Sequence, residues 1–519
     1  MPCSLMKPDT DPVDSYPVGF WLVLIAALGL LLRAWFPNVV QFGIDEATAS
    51  SLATQIAHGR SFPLAGIRTS FGFLNPPTYL YFLAPFFAVT RDPAIVALVP
   101  MILGAAASAL AGLTALRLGG ARVALLAATM VAICPNAVEH SRRLWGHDLQ
   151  VFLGAVVCWC MVEAWWRAAH HEGRPNRWLA GSFAAAAVAQ TCHLSGALYW
   201  LPGLLLFASA PRRFAKGLAA GIVAALALYA PWLAHQIREG WPDLAVIAGA
   251  LSGGAASRDL GHPVPALAAW FFVLGDAWNN DLLGARRSFD VVPSAFVALS
   301  AASGLAMFAA IFALATTRPN RLPVLALGLL LLATPLLFGV LFRAVVPPYL
   351  LPALVPAAIL SALGVDRLLN GRAATVAAAA FAIYVTCSIT YTTYLRLQMA
   401  LGEGTTPSLA EKKDVVRIVD DFSQGRRFRL MQDARAAETG IDVAYIYLFH
   451  WRGISERYTT RQPEHLFVVL AAEPRTPAHD FLQQYGVGFT DHLLVHEVPP
   501  DQWEAWFSAL RGWHQQPAP

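Results

Sequence analysis

The chain has 519 residues, of which 56% are hydrophobic and only 13% charged. Soluble domains carry about twice that charge fraction, so an ordinary globular protein is excluded. Abundant Leu, Val, Phe and Trp exclude a disordered chain. A net charge of +4, with no zinc-finger, helix-turn-helix or RNA-binding pattern, argues against a nucleic-acid partner.

The charges are unevenly spread: Leu401 to Pro519 holds 28 of the 70 charged residues. A long apolar body is therefore followed by a tail of ordinary globular composition, about one small domain long. The chain opens with a short polar segment, 1–16, that carries Lys7, Asp9, Asp11 and Asp14. It has neither a basic n-region nor a cleavage site, so the first helix is expected to be a retained anchor.

A helix needs roughly 20 apolar residues to cross a bilayer. The stretches 17–36, 94–116, 121–138, 149–168, 178–194, 195–210, 215–236, 291–316, 322–342, 349–369 and 373–395 meet or approach that length. About eleven spans are expected. Two shorter aromatic stretches, 76–90 and 265–280, are interrupted by Pro or Gly. Short cytoplasmic loops are enriched in Lys and Arg. If neither ambiguous stretch crosses, one side receives Arg117 and Arg122, Arg167, Arg174 and Arg177, Arg212, Arg213 and Lys216, Arg318 and Arg321, and Arg367 and Arg372. The other side receives most acids, from Asp45 and Glu46 to Asp290. The two stretches are therefore expected to be re-entrant or interfacial helices on the outer face. That places segment 1–16 in the cytoplasm, a transmembrane domain over 17–400 with outer loops 37–93 and 237–290, and the tail 401–519 outside.

Within the tail, Ser408 to Phe422 has a helical pattern. Phe428 to Met431, Leu466 to Leu470 and Leu493 to Val498 have strand patterns, and Ala478 to Tyr485 a short helical one. A small α/β domain is expected. The cysteines Cys134, Cys158, Cys160, Cys192 and Cys387 lie in apolar runs and suggest buried small side chains rather than disulfides.

Acids at a membrane edge need a physical reason. After the first span, Asp45-Glu46 opens a segment in which Ala49, Leu52, Ala53 and Ile56 recur at helical spacing before Gly59. A short amphipathic helix is predicted, with Asp45 either its N-cap or a functional carboxylate. Asn75-Pro76-Pro77-Thr78-Tyr79 ends one element and starts an apolar helix. Glu139 to Asp148 gathers Arg142 and Arg143 beside His140 and His147. Arg suits phosphate, and it also snorkels to lipid headgroups. Gln190 to His193 forms a polar turn between spans, where His193 is either a satisfied core histidine or a ligand. Glu163, four residues before Arg167, is expected to pair with it. Asp276 to Asp281 is a polar loop rich in Trp and Asn.

These motifs, in this order, resemble the GT-C superfamily of polytopic glycosyltransferases that use a polyprenyl-phosphate sugar, in particular relatives of protein O-mannosyltransferases and of the lipid A aminoarabinose transferase. The resemblance rests on Asp45-Glu46, Pro76 to Tyr81, Arg117 to Arg122, Ser141 to Asp148, Gln190 to His193 and Tyr349 to Pro352, and covers about residues 15–395. It implies a GT-C-like helical bundle with interfacial helices and an extracytoplasmic α/β domain. It also implies inverting transfer of a sugar from a lipid-phosphate donor to an acceptor hydroxyl on a lipid, glycan or protein, in the inner (plasma) membrane. Asp45 would be the catalytic base and Glu46 its partner. Arg142, Arg143, Asp148, Asn75, Tyr79, His193 and Arg343 would contact the donor phosphate or substrate. The resemblance does not require a cofactor and leaves room for a divalent cation at Asp45, Glu46 or His193. Two positions depart from the pattern: Asn75 stands where relatives often have Lys, and Pro348 where they commonly have Arg. A lipid or glycan transporter or flippase without transfer activity is the alternative function. It would need ionisable residues inside several spans, whereas Glu163 is the one acid well inside a predicted span.

Overall fold

A computed structural model describes residues 15–69, 72–251, 273–275, 293–316, 322–341, 347–400, 407–432, 443–460, 462–471, 488–489 and 493–504. Among them the expected spans are mostly helical, although 121–138 breaks at Cys134 and 195–210 opens with the 3-10 helix Leu194–Tyr199. α1 runs Ser15–Ala34. After two loop helices, α2 (Ile44–Ala57) and α3 (Thr78–Val89), and the single turn α4 (Pro93–Val96), come α5 (Leu98–Gly119), α6 (Ala121–Ile133) and the short α7 (Pro135–Glu139). Then follow α8 (Gln150–Ala169), α9 (Pro175–Cys192), α10 (Trp200–Ser209), α11 (Pro211–Glu239) and α12 (Pro242–Leu251). The body ends with α13 (Pro293–Thr316), α14 (Leu322–Leu341), α15 (Leu351–Leu369) and α16 (Ala374–Ala400).

Among the described residues five helices are long and apolar enough to cross a membrane: Pro93–Gly119, Gly146–Ala169, Pro211–Glu239, Leu351–Leu369 and Ala374–Tyr394. Shorter apolar helices complete the bundle, among them Val18–Ala34 and Ala121–Ile133. The 12-residue α3 is about 18 Å long, well short of a ~30 Å hydrocarbon core. It starts directly after Pro76-Pro77, where proline fixes the backbone for a first helical turn. The second ambiguous stretch, 265–280, and the loop Asp276 to Asp281 lie largely outside the described residues.

α15 is the axis of the bundle. Its residues from Leu351 to Val365 are buried, packed by α6, α8, α13 and α14. Small residues let helices approach closely, as in membrane bundles generally. At Gly364 an added Cβ would meet the Ala309 carbonyl oxygen. At Gly221 it would meet the Phe183 side chain.

Polar contacts between the loops gather at two ends of the helices. At one end Glu163 bridges Arg117 (2.6 Å) and Arg167 (2.9 Å), Arg122 meets Asp366 and Asn370, and Asn176 donates to the Arg213 carbonyl. Trp166 and Trp178 stack under those two arginines. The predicted Glu163–Arg167 pair is thus present, widened by Arg117 into a triad. At the other end Arg143 meets Glu46, Arg396 meets Glu139, and Trp232 donates to the Leu74 carbonyl. The five described cysteines are free thiols.

The tail begins with α17 (Leu409–Ser423), closed by a capping box in which Ser408 and Glu411 bond each other's backbone. A four-stranded sheet follows in the order β1-β2-β4-β3. β1 (Phe428–Gln432) pairs in parallel with β2 (His465–Ala471), and β4 (Leu493–Val498) is antiparallel to both β2 and β3 (Gly488–Phe489). The first helix and three strands lie where the patterns place them. α18 (Val443–Arg452) was not expected, and the expected helix 478–485 is outside the described residues.

Candidate active site

The site is built around the loop between α1 and α2. α2 starts at Ile44, with Gly43 as its N-cap. The Glu46 carboxylate turns back to accept the Gly43 N–H at 2.9 Å, as the third residue of a capping box does. This corrects the N-cap reading of Asp45: the capping is done by Glu46, and Asp45 is left unneeded for it, in the first turn. At the far end Gly59 adopts φ +68°, the left-handed conformation expected of a terminating glycine. Ala49, Ala53 and Ile56 face the protein as the spacing predicts, while Leu52 is only half buried.

Glu46 is buried, and its second oxygen accepts from Arg143 Nε at 3.1 Å. Arg143 also lies over the Trp145 ring, 4.8 Å from its centroid. Asp45 is half buried beside this pair. Burial and the Glu46 charge raise its pKa, the Arg143 charge opposes them, and the result is about 6. A carboxylate tuned near neutral pH holds an ionised fraction and retains useful proton affinity, which is what a general base requires.

Under α2 and α3 lies a set of buried polar groups. Asp148 accepts the Trp145 N–H through Oδ2 at 3.4 Å, while its Oδ1 has no partner among the described residues. The Tyr79 hydroxyl and both ring nitrogens of His140 and of His147 are likewise unpaired there. Each such group costs about 1–3 kcal/mol when buried unsatisfied. A concentration of them marks a place shaped for something other than stability. The charges of Arg143 and Glu46 reach Asp148, and those of Asp148 and Glu46 reach Tyr79. The His147 ring lies 3.6 Å from that of His193 and 3.8 Å from Trp145, and Tyr349 stacks on His193 at 5.2 Å. His193 Nδ1 is engaged with the Ser195 backbone and hydroxyl, at 3.2 and 2.8 Å.

The predicted residues thus divide. Asp45, Glu46, Arg143, Asp148, Tyr79 and His193 border one region. Arg142 is buried, and its two terminal nitrogens donate to the carbonyls of Arg33, Trp35, Phe36 and Val39. It staples the first loop and is removed from the phosphate candidates. Asn75 closes a small hairpin through its backbone, bonding Ile67 and Gly66. Arg343 lies outside the described residues. Metal ligation finds no support, because among the described residues no group of three or more His, Cys, Asp or Glu is placed to hold an ion. With Glu46 already bonded through both oxygens, the described residues offer no complete ligand set for a divalent cation, and no step is assigned to one.

The sequence reading missed Arg33 and Arg396. Arg33 is fully buried at the end of α1 and bonds Ser141 Oγ at 2.8 Å and the carbonyls of Gly29 and Ala132. Its signal was available, since an arginine within an apolar span needs partners. Arg396 closes on Glu139 from the end of α16, a contact between residues 257 apart that no local pattern announces.

Glycine 146 lets the loop carrying His147 approach α9. A Cβ there would sit 2.4 Å from the Cys192 carbonyl oxygen. Gly146→Ala is expected to cost about 1–3 kcal/mol through overpacking. It should also part His147 from His193, and thermal unfolding in detergent together with His147 imidazole shifts checks both effects.

The comparisons with known proteins agree with this architecture. Residues 74–235 match the family described as dolichyl-phosphate-mannose-protein mannosyltransferase. Among solved structures the chain is similar to ArnT from Cupriavidus metallidurans bound to undecaprenyl phosphate, with a TM-score of 0.55 and 15% identity over 92% of this chain and 98% of that one. The oligosaccharyltransferase of Archaeoglobus fulgidus is also similar, with a TM-score of 0.48 and 13% identity over 86% of this chain and 65% of that one. Comparison with curated proteins gives no match. Over residues 74–235 the chain is thus similar to that family, and over most of its length it shares the fold of ArnT.

Proposed function

We propose that this chain is a multi-pass glycosyltransferase of the inner (plasma) membrane. It crosses the bilayer about eleven times, with its N-terminus inside and residues 401–519 outside. It moves a sugar from a polyprenyl phosphate to a hydroxyl of a lipid, glycan or protein acceptor at the outer face. The observation that carries this reading is Asp45: a half-buried carboxylate released from capping duty, with a pKa near 6, beside a buried ion pair and a cluster of unsatisfied polar groups.

Asp45 takes the proton of the acceptor hydroxyl as that oxygen attacks the anomeric carbon. The bond from that carbon to the phosphate oxygen breaks, and its electron pair leaves with the polyprenyl phosphate. A single displacement inverts the anomeric centre. The leaving phosphate meets Arg143, the Tyr79 hydroxyl and the imidazole N–H groups of His140 and His147, with Asp148 and His193 lining the same region. Fixed donors of this kind stabilise charge that develops in the transition state. Glu46, held by Gly43 and Arg143, keeps Asp45 in place. The test is a transfer assay in membranes with labelled polyprenyl-phosphate sugars. Transfer of at least one sugar, unaffected by chelator, is expected, and failure across hexosyl and pentosyl donors would refute the reading.

A further inference from the structure

Asp45 stands on a loop that the tail holds from outside the transmembrane body. The segment from Asn38 to Gly43 has almost no secondary structure of its own, yet most of its carbonyls are taken. Arg142 occupies that of Val39 and those of the preceding residues. The tail takes those of Asn38, Val40 and Phe42. The backbone N–H of Leu409 donates to Val40 O at 2.9 Å and that of Ala410 to Asn38 O at 3.0 Å. Lys412 Nζ donates to Phe42 O at 2.8 Å. Lys413 Nζ reaches Asn38 Oδ1 at 2.9 Å and Asp92 Oδ1 at 2.7 Å. Both lysines are buried, which is costly for an ammonium group without partners. α18 adds Tyr447, whose ring lies 5.8 Å from Phe42 and whose hydroxyl donates to Arg91 O at 2.8 Å.

We propose that Lys412 is a positioning residue for the transfer reaction: from the soluble tail it fixes the Phe42 carbonyl, and with it the N-terminus of α2 that carries Asp45. This rests on the assignment of Asp45 as base. Phe42 directly precedes the N-cap Gly43, and Asp45 follows two residues later, so the Lys412 bond sets the register of the first helical turn. A base must stand within about an ångström of its productive position, and a displacement of that size costs on the order of 100-fold in rate. The tail is then part of the catalytic apparatus through this contact.

The test uses the full-length protein in lipid nanodiscs. Lys412→Met keeps the aliphatic stem and removes the ammonium group. Its kcat is expected to fall about 10- to 100-fold while the KM for the donor stays within about twofold. Amide exchange across residues 41–47 should quicken at least about tenfold, because a bond that holds the turn closed is gone. Lys412→Arg, which keeps a cationic donor, should recover most of kcat. Exchange unchanged at residues 41–47 in Lys412→Met would overturn the proposal whatever the activity. So would a loss confined to KM, or a global loosening of amides that Lys412→Arg does not reverse. A wild-type protein inactive with every donor would refute the transferase reading, and the exchange measurement would still decide whether Lys412 holds the turn.

Discussion

Arg143→Met is expected to destabilise the protein by about 3–5 kcal/mol, because it leaves the Glu46 carboxylate buried without its counter-charge. The side chains are 6% and 3% exposed, so water cannot replace the lost partner. Arg143→Met with Glu46→Gln should recover a large part of that loss, and chemical unfolding of the three variants in a double-mutant cycle measures the coupling. The same pair tunes the neighbouring base. The Arg143 charge lowers the Asp45 pKa and the Glu46 charge raises it. The acid limb of the rate should therefore move up in pH in Arg143→Met and down in Glu46→Gln. A cap and an ion pair that merely stabilised α2 would shift neither.

Asp45→Asn is expected to lower transfer by about 100- to 10,000-fold, the usual contribution of a positioned general base. Asn keeps the size of the side chain and removes the proton acceptor. Stability should change little, because the cap of α2 rests on Glu46 and, among the described residues, Asp45 has no hydrogen bond or ion pair to lose. Donor affinity should persist, since the phosphate is met by other residues. Unfolding curves and equilibrium binding of a polyprenyl phosphate, measured beside the rate, separate the loss of chemistry from a loss of fold.

The helical bundle was legible in the sequence because long apolar runs advertise themselves, with Lys and Arg gathered in alternate loops between them. The ion pairs at Glu163 and Asp366 follow from that sorting. The acidic pair after the first span was legible for the same reason, since a charge beside hydrocarbon stands out. What local patterns did not carry was the division of labour within the site. Asp45 and Glu46 are adjacent, and only the geometry of the Gly43 N–H shows which one caps. Arg142 and Arg143 are also adjacent. One turns into the α1 loop, where four carbonyls hold it, and the other turns to Glu46. Successive residues in a tight loop point apart, so composition could not separate a staple from a site residue. The contribution of Lys412 was further out of reach, because it joins residues 370 apart in the chain.

The central claim is that Asp45 takes the acceptor proton, and the pH dependence of kcat/KM tests it most directly. For wild type the account predicts a plateau at neutral pH and a fall of about tenfold per unit below pH about 6, because the base works only when ionised. In Asp45→Asn the residual rate should lose that limb. An Asp45→Asn protein that transfers sugar at the wild-type rate, with the acid limb intact, would contradict the claim.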